Sequence, residues 1–270
     1  MVDADVAGNG QSSAPEGGAA LVPRPEGGSE ISFVHFAPQP PFDTRLIFWE
    51  SRDTESAAAF RLLRQRLIER GDPRILLCTS ATPGEGKTTL ATNLALAFAE
   101  LGKHRVLLIE TSFRNAAVGE VFGFKPPAGF AKQLAQHRLR PGDPWVVVQI
   151  ANSPLYIMAA EPRCCQKCAA VLAEDAKFCG LCGTEAALDG APAIDAVAFA
   201  AAVRKFRESF HYLVVDAPPV LTGGDVNLIQ DSADAIVFAT RKGMSAGSTL
   251  RRAIEQVAPA PVAAVVMIEK

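Results

Sequence analysis

The sequence has no excess of charge of one sign and no long run of apolar residues. Its 27 lysines and arginines nearly balance 29 aspartates and glutamates, so the formal net charge is −2. Without a basic surplus there is no overall field that attracts a phosphate backbone, and nucleic acid is not an expected partner. No apolar run approaches the roughly 20 residues of a bilayer-spanning helix. The acidic first residues do not resemble a secretory signal, so we expect a cytoplasmic protein.

The composition of most of the chain is that of a globular protein. Hydrophobic residues make up 49% and charged residues 21% of the 270 positions, which is enough to bury a sizeable core in one large domain with additions. Residues 1–45 differ, because they hold six glycines and six prolines and more acids than bases. This composition predicts a disordered tail. Within it, Ile31–Phe36 is a short apolar segment suited to docking on the body or on a partner.

From residue 46 onward the hydrophobic pattern predicts alternating strands and helices. The predicted helices cover residues 55–69, 87–101, 194–210, 224–231 and 246–257. The predicted strands cover residues 74–80, 106–109, 155–158, 212–216, 235–240 and 262–268. This order indicates an α/β fold, a mostly parallel sheet flanked by helices, formed by residues 46–160 and 190–270.

The sharpest motif is a glycine-containing turn between the first of these strands and the helix that follows it, Ala81-Thr-Pro-Gly-Glu-Gly-Lys-Thr. In that position the motif predicts a phosphate-binding loop, although its first residue is alanine where the common pattern has glycine. Gly84 and Gly86 would let backbone amides face a phosphate. Lys87 would reach the β- and γ-phosphates and the Thr88 hydroxyl would bind Mg²⁺. The predicted ATP-binding residues are Pro83, Gly84, Glu85, Gly86, Lys87, Thr88 and Thr89.

A magnesium site also needs a carboxylate at the end of a neighbouring strand. Asp216 follows three buried strand residues and precedes Ala217, Pro218 and Pro219, so it is placed at the carboxyl edge of the sheet. We predict that Asp216 and Thr88 bind Mg²⁺, with Asp216 also counted among the catalytic residues.

Four segments together resemble the cytoplasmic domain of bacterial tyrosine kinases (BY-kinases) and related polysaccharide co-polymerase ATPases of the MinD/ParA-like group. They are Phe-Arg-Leu-Leu-Arg at 60–64, the loop at 79–89, Val-Leu-Leu-Ile-Glu at 106–110 and Val-Val-Asp-Ala-Pro-Pro-Val-Leu at 214–221. The resemblance covers residues 45–160 and 194–268. It implies a MinD-like P-loop fold, ATP with Mg²⁺, and a role in exopolysaccharide or capsule biosynthesis or export. It also implies a membrane co-polymerase or export protein as partner, recruitment to the inner membrane by that partner, and self-association.

The same resemblance assigns catalytic roles, and there the sequence departs from the family. Members usually carry D-x-D-x-R after the second strand, whereas this chain has Glu110-Thr-Ser112-Phe-Arg114. Glu110 is therefore the expected catalytic acid beside Lys87 and Asp216, and Arg114 an expected nucleotide contact. Ser112 stands in place of the second aspartate of that motif, so one negative charge is missing. Three functions stay open: an ATPase or nucleotide switch, a catalytically degenerate adaptor, and a tyrosine kinase acting on another protein.

Other family features are altered. The self-assembly motif E-x-x-R-x-x-R appears with Ala58 in place of the acid, so Arg61 and Arg64 are equally explained as a solvated basic face. The only tyrosines, Tyr156 and Tyr212, lie in predicted strands, and we expect no self-phosphorylated tyrosine tail. Thr82 stands where many partition-type ATPases have a second lysine, which makes that class less expected.

Five of the six cysteines are clustered between residues 164 and 182, and four of them form two C-x-x-C pairs. The pairs predict a zinc ribbon inserted at residues 161–189, with Zn²⁺ bound by Cys165, Cys168, Cys179 and Cys182. A redox-active pair is the alternative. The insertion would serve as a structural staple or as a docking module. Cys164 is a substitute ligand or a free thiol, and Cys78 is expected to be buried.

Overall fold

The computed structural model describes the backbone of residues 22–24 and, with side chains, residues 30–165, 167–168, 170, 172, 176–185 and 194–269. Nine strands are formed: β1 (Val22–Arg24), β2 (Ile31–Phe36), β3 (Ile75–Ser80), β4 (Val106–Glu110), β5 (Trp145–Ile150), β6 (Leu155–Met158), β7 (Tyr212–Asp216), β8 (Ala235–Arg241) and β9 (Val262–Ile268). The helices are α1 (Ile47–Glu50), α2 (Glu55–Glu69), α3 (Lys87–Ala99), α4 (Val118–Phe122), α5 (Phe130–Leu139), α6 (Ala196–Ser209), α7 (Asp225–Ile229) and α8 (Gly247–Gln256).

All nine strands belong to one sheet in the order β1-β2-β5-β6-β4-β7-β3-β8-β9. The β1/β2 and β5/β6 pairs are antiparallel and the other pairs are parallel. The predicted α/β class, with a mostly parallel sheet flanked by helices, is confirmed. Since β3, β4 and β7 are adjacent, the carboxyl ends of the three strands that carry the predicted site meet at one edge.

Two hydrophobic clusters cover the two faces of the sheet. On one face, α3 is apolar almost all round and its residues are nearly all buried, as expected for a helix between a sheet and an outer layer. The helices α1 and α2 form that outer layer against α3. Aromatic side chains of α5 and α6, centred on Phe130 and Phe206, fill the other face. Helix α3 is therefore held on both sides, which fixes the direction of its first turn.

The structure differs from the predicted tail at residues 30–45. Residues 31–36 form β2, which pairs in parallel with β5 and buries Ile31, Phe33 and Phe36. The average over 45 residues predicts a tail because of the glycines and prolines on either side, but the apolar segment itself docks on the body, as one of the two expectations for it had it. Its β-branched and aromatic residues favour a strand. The rest of the tail, residues 1–21 and 25–29, lies outside the described residues, as do residues 166, 169, 171, 173–175 and 186–189 of the predicted insertion.

Among the described residues, no helix combines the length and the apolar character needed to cross a membrane.

Candidate functional site

The loop between β3 and α3 has the backbone of an anion-binding turn. Gly84 and Gly86 adopt φ values of +83° and +92°, which residues with a side chain rarely adopt. At Gly86 an added Cβ would also lie 3.0 Å from Cγ1 of Ile268. The first turn of α3 begins here, since the Leu90 amide donates to the Gly86 carbonyl at 2.8 Å. Both glycines are thus required by the shape of the loop.

Glu85 lies inside the loop and is fully buried. Its Oε2 accepts a hydrogen bond from the Thr82 amide at 2.7 Å, and its Oε1 accepts one from the Thr240 hydroxyl at 3.4 Å. The carboxylate therefore joins the start of the loop to the end of β8. The sequence places Glu85 among the nucleotide contacts, whereas in the structure its carboxylate is turned inward and holds the loop in shape.

Thr88 and Asp216 form the core of the predicted magnesium site. Register places Asp216 beside Cys78 of β3 and Glu110 of β4, at the carboxyl edge of the sheet. The Thr88 hydroxyl donates to Asp216 Oδ2 at 2.8 Å, and Lys87 Nζ lies 3.4 Å from Thr88 Oγ1. The sequence predicts that Lys87, Thr88 and Asp216 share one site, and in the structure their side chains are adjacent.

The second carboxylate oxygen of Asp216 is the atom that indicates a ligand. Asp216 Oδ1 is buried and has no hydrogen-bond partner among the described residues. Burial raises the pKa of Asp216, while Lys87 and the Thr88 hydroxyl act in the opposite direction. A buried carboxylate oxygen without a donor costs free energy. A hydroxyl and a carboxylate are the oxygen ligands that Mg²⁺ prefers, so these two residues fit the predicted ion.

Two cavities meet at the loop. The larger, here called the nucleotide cleft, has a volume of about 1020 Å³ and runs between α2, the loop and β9. The smaller, here called the rear chamber, has a volume of about 60 Å³ and lies between the loop and the segments that follow β4 and β7. Gly84, Lys87 and Asn115 line both. Of the other predicted nucleotide contacts, Thr88 and Thr89 line the nucleotide cleft, and Pro83 and Arg114 line the rear chamber.

Glu110, the expected catalytic acid, lines neither cavity. Its Oε1 accepts the amides of Ala117 and Val118 at 2.6 and 3.0 Å, and its Oε2 accepts the amide of Ala160 at 2.9 Å. Burial, with a smaller contribution from the Asp216 carboxylate, raises the pKa of Glu110 to about 7 against these three donors. The carboxylate thus joins the end of β4 to the start of α4 and to the residue after β6.

Two residues beside the loop carry polar groups that the motif search did not select. Ser112 lines the rear chamber with a buried hydroxyl that has no hydrogen-bond partner in the described part of the chain. Asp225, the first residue of α7, lines the same chamber. For Ser112 the sequence showed only a missing charge. The one signal for Asp225 was its place at the beginning of the predicted helix that follows Pro218 and Pro219.

The two arginines of the altered assembly motif are bound within the chain. Arg61 Nε donates to Glu100 Oε2 at 2.8 Å, and Arg64 Nη1 donates to the Ala97 carbonyl at 2.5 Å. Arg64 Nη1 is also 3.7 Å from Glu100 Oε2. In this structure both side chains fasten α2 to the end of α3.

The four cysteines of the two C-x-x-C pairs are brought together, and their sulfur atoms all lie within 4.8 Å of one another. Cys165 Sγ is 3.6 Å from Cys182 Sγ, and Cys168 Sγ is 3.5 Å from Cys179 Sγ. Four thiolates bound at about 2.3 Å to a tetrahedral ion would be about 3.8 Å apart, so the cluster can hold a metal ion. Cys164 is exposed, with its sulfur near the Pro162 carbonyl, and does not belong to the cluster. Cys78 is buried, as predicted.

Comparison with known proteins supports the resemblance found in the sequence. No protein-family model matches the chain. The tyrosine-protein kinase CpsD of Streptococcus agalactiae is 24% identical over 184 residues, which cover 68% of this chain and 69% of that protein. The tyrosine-protein kinase YwqD of Bacillus subtilis is 28% identical over 184 residues, which cover 68% of this chain and 66% of YwqD.

Solved structures show the same fold. The chimeric protein CapA2B2 superimposes with a TM-score of 0.65 at 18% identity, covering 87% of this chain and 93% of CapA2B2. The kinase domain of the Escherichia coli tyrosine kinase ETK gives 0.59 at 17% identity, covering 79% and 76%. The MinC:MinD cell division complex of Aquifex aeolicus gives 0.50 at 20% identity, covering 73% and 68%.

Proposed function

From the similarity to tyrosine-protein kinases and the shared MinD-like P-loop fold, we propose that the chain binds MgATP in the nucleotide cleft and acts as an ATPase or nucleotide switch. The observation that carries the proposal is the unpartnered Asp216 Oδ1, buried at a strand end beside Thr88 and the loop lysine. Without an ion this oxygen has no compensation for its burial.

Each residue of the loop has a part in this proposal. The turned backbone at Gly84 and Gly86 presents amides to the phosphates, and Lys87, at the junction of the two cavities, neutralises charge on the β- and γ-phosphates. Thr88 and Asp216 would hold Mg²⁺, which when bound draws negative charge away from the phosphates. Arg114 and Asn115 line the side of the loop where the terminal phosphate would end.

The biological role in the proposal is regulation of exopolysaccharide or capsule biosynthesis or export, through a membrane co-polymerase or export protein. Support comes from the family resemblance of the motifs at residues 60–64, 79–89, 106–110 and 214–221. Self-association belongs to the same proposal. Its interface would have to work with Arg61 and Arg64 already bound to Glu100 and Ala97, so we expect other residues of α2 to carry it.

We also propose that the cysteine cluster binds one Zn²⁺. The two close sulfur pairs and the antiparallel bridge between Phe178 and Glu185 are typical of two knuckles around a tetrahedral ion. Phe178 and Leu181 are exposed at the second knuckle, a feature that favours a docking role over a purely structural one.

A second candidate function rests on Glu110. With both oxygens bound to backbone amides, this carboxylate is not free for catalysis in the described structure, and that favours a degenerate adaptor that binds ATP without turning it over. The names of the relatives favour a tyrosine kinase acting on another protein instead.

The test is a calorimetric titration of the full chain with MgATP. We expect micromolar or tighter binding in the wild type and a loss of at least about a hundredfold in Lys87→Ala, with Lys132→Ala, an exposed lysine of α5, as the matched control. Asp216→Asn should remove most of the magnesium dependence. Equal MgATP affinity in the wild type and in both site variants would contradict the proposal.

A further inference from the structure

The rear chamber is the place from which a phosphoryl acceptor would approach a nucleotide. We propose that this acceptor is water, that the Asp225 carboxylate takes its proton, and that the Ser112 hydroxyl positions it. The inference rests on the proposed MgATP site and names the substrate of that site's reaction: ATP is hydrolysed, and no tyrosine side chain is phosphorylated in this chamber.

The position of the rear chamber next to Lys87 supports this proposal. The nucleotide cleft and the rear chamber share Lys87 and Gly84, so a γ-phosphate bound by Lys87 would lie where the two cavities meet. An attacking group must lie in line with the bond that breaks, on the side away from the rest of the nucleotide, and we assign the rear chamber to that side.

The distribution of carboxylates around the rear chamber points to Asp225 as the base. The neighbouring carboxylates are engaged, since Glu110 is bound by three amides and Asp216 by the Thr88 hydroxyl on the magnesium side. Among the described residues that line the rear chamber, Asp225 is the only one with a carboxylate. A general base has to lie within reach of the proton it removes, and Asp225 is the carboxylate that the described lining of this chamber offers for that role.

An unpaired hydroxyl gives independent support for a bound acceptor. The Ser112 side chain is 3% exposed, and its Oγ has no hydrogen-bond partner in the described structure. A buried hydroxyl is normally paired, so an unpaired one lining a cavity indicates a molecule that it would bind there. A hydroxyl can donate to, or accept from, a water held between it and Asp225.

Size identifies that molecule. At about 60 Å³ the rear chamber has room for a small number of waters. It is well below the roughly 150 Å³ of an engineered cavity that binds benzene in another protein. Phe113, Pro218 and Pro219 line the chamber, and Phe113 is itself largely buried. In the described structure the chamber therefore suits water better than a phenol ring.

The reaction balances without a further reactant. The water oxygen forms a bond to the γ-phosphorus while the bond from that phosphorus to the β–γ bridging oxygen breaks, and ADP leaves. One water proton passes to Asp225 and is later released to solvent. The products are ADP, inorganic phosphate and one proton.

The experiment measures phosphate release by the full chain with radiolabelled MgATP, in parallel with MgATP affinity and with label transfer to a glutamate–tyrosine copolymer. We expect Asp225→Asn to lower turnover by at least about a hundredfold while the dissociation constant for MgATP changes less than about threefold. Ser112→Ala should lower turnover by about three- to tenfold. The matched control is Asp231→Asn, an exposed acid beyond the end of α7, which should leave both quantities unchanged.

Several results would overturn the inference. They are turnover in Asp225→Asn within threefold of the wild type, label on the copolymer in an amount comparable to free phosphate, and tight MgATP binding with no phosphate release by the wild type. If Asp225→Asn does not fold, as judged by its thermal melting, Asp225→Glu replaces it and should lower turnover at least tenfold with affinity retained. Absence of MgATP binding by the folded wild type would instead refute the proposed function itself.

Discussion

The nucleotide site and the cysteine cluster differ in what holds their polar groups in place. Around the loop, Glu85, Thr88 and Asp216 are buried at the edge of a nine-stranded sheet and are fixed by hydrogen bonds to one another or to the backbone. Around the cysteines, the buried hydrophobic cluster consists, as far as the described residues go, of Cys165, Leu172 and Cys179. Two of those three residues are proposed ligands.

The difference predicts different responses to loss of the ligand. Sheet and helices determine the shape of the loop whether or not a nucleotide is bound, so it is preorganised and pays little ordering cost on binding. A core of this size cannot offset the conformational entropy that the cysteine-containing insertion loses on folding, so the free energy of metal binding must offset it. The two sites should therefore fail separately.

The largest expected effect is on the cysteine cluster. Cys179→Ser should lose the bound zinc and the resistance of residues 161–185 to proteolysis, because no core remains to replace the metal. Cys164→Ser, which changes an exposed cysteine outside the cluster, is the control and should keep one zinc per chain. Zinc content and limited proteolysis measure this, and equal zinc loss in the two variants would contradict the assignment. MgATP affinity should change less than about threefold; a larger change would show that the two sites are coupled.

A second effect concerns the buried carboxylate beside the nucleotide site. The pKa of Glu110 is about 7 in the folded chain against 4.5 for an ordinary glutamate, so between these pH values the folded state keeps a proton that the unfolded state releases. The contribution of the protonated Glu110 side chain to the free energy of unfolding is therefore fully present below pH 4.5, and it is lost as the pH rises through 7. Relative to Glu110→Gln, which does not titrate, the free energy of unfolding should fall by about 2.5 kcal/mol from pH 5 to 8. Urea denaturation of both proteins at the two pH values checks this, and parallel curves would show that Glu110 is ionised throughout.

A third effect tests preorganisation of the loop. Gly86→Ala introduces a side chain at φ +92° and against Ile268, so MgATP affinity should fall about a hundredfold. Gly71→Ala is the control, because it also has a positive φ of +123° but no atom within 4 Å of an added Cβ. It should cost about 1 kcal/mol of stability and leave affinity unchanged. Calorimetry gives the MgATP affinity of both variants and denaturation gives their stability, so the two measurements separate backbone strain from a change in the shape of the nucleotide site. Retained affinity in Gly86→Ala would show that the loop tolerates another shape.

The smallest effect concerns the inner support of the loop. Glu85→Gln keeps the size of the side chain but replaces one acceptor oxygen with a donor, and weakens the bond to the Thr82 amide or to the Thr240 hydroxyl. A loss of about 1 to 1.5 kcal/mol, or about tenfold in MgATP affinity, should follow. Glu255→Gln, which removes a charge on the exposed face of α8, is a control for the charge change, and an equal loss there would point to a general electrostatic effect.

Most of the sheet could be predicted because its central strands are apolar on both faces and are bounded by turn residues. Strands β3, β4 and β7 and the phosphate loop depend on local patterns of this kind. The strands that were not predicted depend on distant partners. Residues 31–36 were expected to dock but not to form a strand, because their partner β5 was not recognised: Arg140, Pro141 and Gly142 before β5 are typical of a loop.

The candidate site shows the same division. The sequence places Thr88 and Asp216 in one site, because strand ends and helix starts meet at a known edge of a parallel sheet. It does not indicate where the longer side chain of Glu110 turns, since the deciding groups are the amides of Ala117, Val118 and Ala160, which the fold brings from two other segments. Nor does it place Asp225 near Ser112, because that proximity depends on how the segment after β7 folds back.

The pairing of β2 with β5 sets an order of events during synthesis. Residues 31–36 leave the ribosome long before residues 145–150, so the growing chain carries Ile31, Phe33 and Phe36 without the strand that covers them. An unpaired apolar strand is a target for chaperones and for wrong pairing. Strand β2 therefore cannot pair with β5 until residue 150 has been made, more than 100 residues after its own synthesis.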